Sequence, residues 1–154
     1  ADLVGRKIAR ESGLTVKEWV AALRKFDLDL SISGNSDIKA IRSRLSAGAQ
    51  AVSESVDFIL ATAGKDPNAA FAGAVPFLKL MGITAGGWQM ARAALIAEKK
   101  LASKQGDQSF YAAKMSTARF FAEHVLSQAP GLAATVAHGS AAVMALSEEQ
   151  FLAA

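Results

Sequence analysis

Apolar residues recur at the period of the α-helix along most of this chain, and this feature restricts its fold more than any other. From Ser36 the apolar positions advance by three or four residues for about seven helical turns. A second stretch repeats the pattern further along. The first stripe comprises Ile38, Ile41, Leu45, Val52, Val56 and Ile59, and the second comprises Tyr111, Met115, Ala118, Ala122, Val125 and Ala129. We therefore predict an all-α fold, an up-and-down bundle of about four to five helices.

Start and stop signals divide the helical pattern into segments. A short helix is expected within residues 1–11, and Thr15–Glu18 has the form of a capping box, which predicts a helix beginning at Thr15. Gly64 is predicted to end the helix that begins at Ser36. A third helix is predicted from Asp66–Pro67 to about Lys104, with a kink or restart at Pro76. A fourth is predicted from Asp107 to a break at Pro130–Gly131, and a fifth from Leu132 to Leu146. A last helix is predicted to follow a capping box at Ser147–Gln150.

One stretch departs from the helical period. Apolar and polar residues alternate strictly from position 26 to position 33, and Gly34 and Asn35 then supply turn chemistry. Strict alternation is typical of extended backbone, but no second alternating segment is available to pair with it. We therefore predict an extended connector near residues 26–35, packed on the helices. Its apolar positions are Phe26, Leu28, Leu30 and Ile32.

Composition excludes several classes of protein. The chain has 154 residues, no cysteine and a net charge of +3, so disulfides, cysteine–zinc sites and thiol nucleophiles are excluded, and no nucleic-acid partner is expected. The basic group Lys39, Arg42 and Arg44 is interpreted as a solvated helix face. The most apolar stretch, residues 69–97, contains charged residues and a proline, so we read it as a buried helix and expect no membrane partner. The absence of cysteine fits a reducing compartment, and we expect a cytoplasmic location.

The sequence offers no candidate for a catalytic, cofactor-binding or metal-binding residue. His124 and His138 are not spaced for a helical zinc site, and no phosphate-binding glycine loop is present. We interpret His124 as a partly buried side chain bonded to a neighbour. Arg119 and Glu123, four residues apart, are expected to form an ion pair within one helix.

Three glycines of the long third helix and the two tryptophans of the chain have two interpretations each. Gly82, Gly86 and Gly87 are favoured as a site where another helix packs closely, and a hinge or a ligand-contacting backbone is the alternative. Trp19 and Trp88 are favoured as anchors of the core or of an interface. The alternative is that they line a ligand pocket.

Four segments together resemble one known family. They are Phe77–Ala94, Phe110–His124 with Gln128–Pro130, Val143–Phe151 and Asp2–Lys7. The first three are similar to the helices and the ending of the C-terminal extension of long acyl-CoA dehydrogenases, a group that includes enzymes similar to 3-methylmercaptopropionyl-CoA dehydrogenase. The fourth resembles the segment just past the Tyr-Glu-Gly-Thr flavin-contact loop of that family.

The resemblance implies how the parent chain is divided into domains and which of them is catalytic. Residues 1–14 would be the tail of an upstream catalytic region, and residues 15–154 a C-terminal helical bundle domain cut from a longer chain. The FAD-binding domains, and the glutamate that removes the α-proton of an acyl-CoA before hydride passes to the flavin, would lie upstream. The implied partners are those upstream domains, the acyl-CoA substrate of the parent enzyme and a second copy in a homo-oligomer.

The resemblance leaves the role of this chain open among three readings. As a non-catalytic domain it would serve packing, oligomer contacts or closure over the active site. The rival reading is an autonomous helical interaction module that has no flavin chemistry. A bundle that is itself catalytic comes third, because the required ligand spacing is missing.

Overall fold

The computed structural model describes residues 2–9, 11–143 and 145–152. All of its regular elements are helical. A π-helical N-terminal segment, Leu3–Ala9, is followed by α1 (Leu14–Ser31), α2 (Ser36–Thr62), α3 (Pro67–Ala72), α4 (Ala74–Ala102), α5 (Gln108–Phe120), a π-helical turn (Phe121–Val125), a 3₁₀ turn (Leu126–Gln128), α6 (Ala129–His138), α7 (Ser140–Val143) and α8 (Glu148–Leu152).

Four long helical columns form an up-and-down bundle, as the periodicity predicts. α2 descends beside α1, and Arg42 of α2 pairs with Asp27 of α1 across the two helices. α4 rises parallel to α1, with Trp88 against Trp19 and Glu98 bonded to Ser33 further along. α5, the two irregular turns and α6 together make the fourth column, which descends against α2 and α4. The prediction of an all-α bundle is confirmed.

A single core fills the space between these columns. Its largest fully buried side chains come from every column and from the N-terminal segment, so each element contributes to the same apolar interior. They include Ile8, Leu23, Leu30, Ile38, Ile41, Ile59, Phe77, Leu80 and Leu126.

The predicted connector near residues 26–35 is wrong, because α1 continues as far as Ser31. On a helix, Phe26 and Leu30 share a face with Leu23 and pack towards the core, whereas Leu28 points outward and is 64% exposed. Only residues 33–35 lie between the helices without regular structure. The alternation reflected two turns of a half-buried helix.

The start of α1 also differs from the prediction. Gly13 occupies the N-cap position with a left-handed φ of 72°, and the helix begins at Leu14 with no side-chain cap. Thr15 instead donates its hydroxyl to Glu11. Glu11 lies in the turn before α1, so Thr15 bonds to a side chain rather than to the backbone of its own helix.

Two predicted breaks are displaced from their prolines. The restart expected at Pro76 occurs at Gly73, between α3 and α4, and places Pro76 in the first turn of α4, where its missing N–H costs nothing. The break expected at Pro130–Gly131 occurs earlier, in the irregular turns from Phe121 to Gln128. Pro130 again begins the following helix.

Other local signals are confirmed. Asp66 accepts from the amide of Ala69, and Asp107 from the amide of Phe110, so both cap the helices they were predicted to begin. The capping box before α8 forms in both directions between Ser147 and Gln150. The predicted helix Leu132–Leu146 is divided at Gly139 into α6 and α7, and its residue Met144 lies outside the described residues.

Across the described residues, no helix is both long and apolar enough to cross a membrane.

Candidate functional site

The two histidines are surface residues in the described part of the chain. His124 lies on the exposed surface and stacks on the ring of Phe120 with centroids 4.3 Å apart, so its predicted partial burial is wrong. His138 ends α6 and is also exposed. Within residues 2–9, 11–143 and 145–152, no three histidine or carboxylate side chains converge as metal ligands would.

Arg119 joins two helices through a pair of carboxylates. Its Nε donates to Glu123 at 3.1 Å, which confirms the predicted pair, and its Nη1 donates to Asp37 of α2 at 2.6 Å. The hydrogen bond with Asp37, then that with Glu123, raises the pKa of Arg119. The bond to Asp37 spans 82 positions of the sequence, and no local spacing rule reveals such a contact.

Arg42 forms the matching connection between α1 and α2. Its Nε and Nη2 donate to the two carboxylate oxygens of Asp27 at 2.8 and 2.7 Å, a bidentate arrangement. This hydrogen bonding raises the pKa of Arg42. Lys39 and Arg44 are exposed, so the solvated face predicted for this basic group holds for them, while Arg42 is partly covered and fixes the helix pair.

The tryptophans form an aromatic cluster between α1 and α4. Trp19 meets Trp88 edge-on at 5.9 Å, and Phe26 lies 6.4 Å from Trp88. All three pack against the core, which fits the interpretation of the tryptophans as anchors. The indole Nε1 of Trp88 is buried without a hydrogen-bond partner in the part of the chain that is described.

The glycines of α4 fall into two groups. A Cβ on Gly86 would lie 2.9 Å from Phe121, and one on Gly87 would lie 2.6 Å from Leu126. The absence of a side chain at both positions therefore lets the irregular turns of the fourth column pack directly against α4. This confirms close packing at those two positions. Gly82 differs, because apart from its chain neighbours and the backbone of its own helix, no atom of the described chain lies within 4 Å of the place its Cβ would take.

Large apolar side chains are exposed at both ends of the bundle. The end where α1 begins, which we call the α3 end, exposes Phe71, Val75, Leu78 and Val143, and the opposite end exposes Leu28, Ile32, Ile96 and Phe110. Val75 is 79% exposed and Leu78 is 61% exposed, so reading the whole apolar stretch 69–97 as buried was wrong. The overlooked signal was that apolar residues occupy more than one face of this helix.

Several concave regions lie on the described surface. A groove of about 330 Å³ between α1 and α2 is lined by valines, with Lys17, Arg24 and Asp57 as its charged groups. A cleft of about 460 Å³ lies within the C-terminal residues, beside Leu146 and Phe151. The groove combines an apolar wall with charged side chains, whereas Glu148 is the charged residue that lines the cleft.

Comparison with known proteins places most of the chain in one group. Residues 14–147 match the family model described as acetyl-CoA dehydrogenase C-terminal like. The chain is also 44% identical over 125 residues to the 3-methylmercaptopropionyl-CoA dehydrogenase of Ruegeria pomeroyi. That alignment covers 81% of this chain and 21% of the relative, so the chain spans about a fifth of the length of the curated relative it matches.

Proposed function

The chain belongs to the acetyl-CoA dehydrogenase C-terminal-like family, and from this premise we propose that it is the non-catalytic C-terminal domain of a FAD-dependent acyl-CoA dehydrogenase. The parent enzyme would oxidise the α,β bond of an acyl-CoA thioester. This proposal is supported by the match to a relative that is named as a dehydrogenase of an acyl-CoA. The aligned part makes up 21% of the length of that relative. We propose residues 15–154 as the domain, residues 1–14 as the tail of the catalytic region, and a cytoplasmic parent.

The C-terminal cleft does not fit the binding of FAD. The larger cleft is open, is lined mostly by exposed apolar side chains, and offers the carboxylate of Glu148, which would repel a pyrophosphate. The N-termini of α2, α3 and α5 are occupied by their own capping side chains, and those of α1, α4 and α6 have no side-chain cap. The flavin chemistry is therefore proposed for the preceding part of the parent, and this domain contributes no step to it.

Packing is the role that the surface supports best. A domain without reactive groups acts on a reaction by positioning other parts and excluding water. The exposed apolar residues at the α3 end, including Val75 and Leu78, give this chain the surface that such packing requires. Contact with a second copy and closure over the acyl-CoA site are the other proposed roles of the same domain.

Exposed apolar side chains at the opposite end of the bundle support a second candidate, an autonomous interaction module. Ile32 at the opposite end is 84% exposed and belongs to an apolar group that a separate partner protein could cover. In that case the chain would function without any flavin-binding region attached.

Deletion from the full-length protein tests the first proposal. We expect removal of residues 15–154 to lower turnover with acyl-CoA or to change the number of subunits in the assembly in solution. The matched control removes only residues 147–154, since α8 contributes no buried residue, and it should keep both properties. Unchanged turnover together with an unchanged number of subunits after the full deletion would exclude the packing, oligomer and closure roles.

A further inference from the structure

We propose that the outer face of the first half of α4, formed by Val75, Leu78 and Gly82, is the surface on which the preceding, flavin-binding part of the same polypeptide docks. This inference rests on the proposed function and identifies the contact through which the domain would act. We call these three residues the α4 docking face.

Gly82 is the first reason for the assignment. Glycine is the poorest helix former after proline, and α4 contains three glycines in its interior. Gly86 and Gly87 are explained by Phe121 and Leu126, which fill the space that their missing side chains leave. Nothing in the described chain uses the space beside Gly82. A close approach by an element outside this domain gives that glycine the same role as its neighbours.

The neighbouring side chains make the same face apolar. Steps of three and four residues place Val75, Leu78 and Gly82 on one side of α4. Val75 and Leu78 are 79% and 61% exposed, although α4 packs its opposite side into the core through Phe77 and Leu80. The nearby Lys79 turns to Gln128, with Nζ 3.1 Å from its side-chain oxygen. An apolar helix of the docking partner could therefore pack on this face of α4, with its closest approach at Gly82.

The path of the chain indicates which partner occupies the face. The N-terminal segment packs beside α3, where a Cβ on Gly5 would lie 2.9 Å from the ring of Phe71. Phe71 is in the last turn of α3, directly before α4. Because Gly5 lies against Phe71, polypeptide that leads into this segment in the proposed parent approaches the domain near the turn that precedes the α4 docking face. The matched relative has about four-fifths of its length outside the aligned part, which is enough to supply a docking partner.

Cleavage of the full-length protein tests the assignment. A protease site is inserted immediately before residue 1, the protein is cleaved, and the two parts are separated by size-exclusion chromatography. We expect the wild-type parts to elute together and the V75E/L78E variant to release the domain. The control is L28E/I32E, which places two charges on residues that are exposed to a similar degree at the opposite end and should leave the parts together.

Gly82→Ala separates docking from folding. The added methyl group meets no atom of the described domain, so the variant folds, but it occupies the space proposed for the partner. We expect dissociation of the cleaved parts to be roughly tenfold more favourable than in the wild type. Unchanged dissociation would show that no partner lies against Gly82 and would overturn the assignment.

The outcomes distinguish this inference from the proposed function. If the wild-type parts stay together and V75E/L78E does also, the domain packs on its parent through another surface and the α4 docking face is wrong. If V75E/L78E instead halves the mass of the uncleaved protein, the face joins two copies, which also overturns the inference. Separation of the wild-type parts after cleavage contradicts the packing role itself.

Discussion

At the scale of single residues, the effect of a glycine in α4 on stability depends on whether a neighbouring side chain fills the space where a Cβ would lie. Gly82 and Gly87 lie on the same helix, five positions apart, and differ in whether anything occupies the place of a Cβ. In the isolated chain we expect Gly82→Ala to raise the free energy of unfolding by about 0.5–1 kcal/mol, because alanine favours the helix.

Gly87→Ala should have the opposite effect. The new methyl group would lie 2.6 Å from a Cδ atom of Leu126, which is 1% exposed and has little room to move. Overpacking of this kind costs about 1–3 kcal/mol. Urea unfolding of both variants measures the contrast, and equal effects of the two substitutions would contradict the packing described here.

Arg119 gives a residue-scale prediction for the effect of pH. Its raised pKa, caused first by the hydrogen bond with Asp37, means that the folded state holds the proton more tightly than the unfolded chain does. The resulting stabilisation is complete below the ordinary arginine pKa and is lost only as pH rises through the higher folded value. Arg119→Gln should therefore lower stability by the same amount at about pH 7 and about pH 10. Urea unfolding at both pH values measures this loss of stability. A loss that is smaller at the higher pH would contradict the prediction.

Local chemistry explains which residue-scale predictions succeeded. The Arg119–Glu123 pair follows from a spacing of four on one helix, and the structure contains it. The exposure of His124 and the bond from Arg119 to Asp37 depend on where distant helices lie. No rule that considers only neighbouring positions supplies that information.

At the scale of the helix, capping decides where α5 begins. Asp107 accepts from the amide of Phe110 at 3.0 Å and satisfies one of the free N–H groups of the first turn. We expect Asp107→Ala to reduce the free energy of unfolding by about 1 kcal/mol, and Asp107→Asn to reduce it less because asparagine also caps helices well. Thermal unfolding monitored by circular dichroism measures both, and equal losses would show that the cap hydrogen bond contributes little.

The irregular turns of the fourth column depend on a buried leucine. Leu126 inserts where Gly48 and Gly87 leave space, and it is 1% exposed. Its substitution by alanine should cost roughly 2–5 kcal/mol, because it removes buried apolar atoms and leaves a cavity. The exposed Leu28→Ala is the matched control and should change stability much less. A similar loss in both variants, measured by urea unfolding, would argue against this role for Leu126.

Element boundaries were predictable where a side chain caps its own helix and were wrong where packing sets the break. Each of the correctly predicted caps accepts a hydrogen bond from an amide three residues further along the chain. These caps are Asp66, Asp107 and Ser147. The break around Leu126 is set by glycines on two other helices. The helical continuation of α1 through residues 26–31 likewise follows from packing on α2.

At the scale of the whole molecule, the bundle and its family followed from the sequence, whereas the outward surface did not. Helical periodicity shows which residues can be buried, but it does not show which apolar faces find a partner within the same chain. Val75 and Leu78 illustrate this, since their stretch was read as buried and the structure leaves both exposed. The proposal of a docking domain depends on that difference.

The central claim is that this chain acts as one domain of a flavin-containing dehydrogenase. The most direct measurement is to isolate the protein from its source cells with an antibody raised to this chain, and to record its mass and flavin content. The account predicts one polypeptide several times heavier than 16.0 kDa that carries FAD. A flavin-free protein of about 16 kDa would contradict the account and favour the autonomous interaction module.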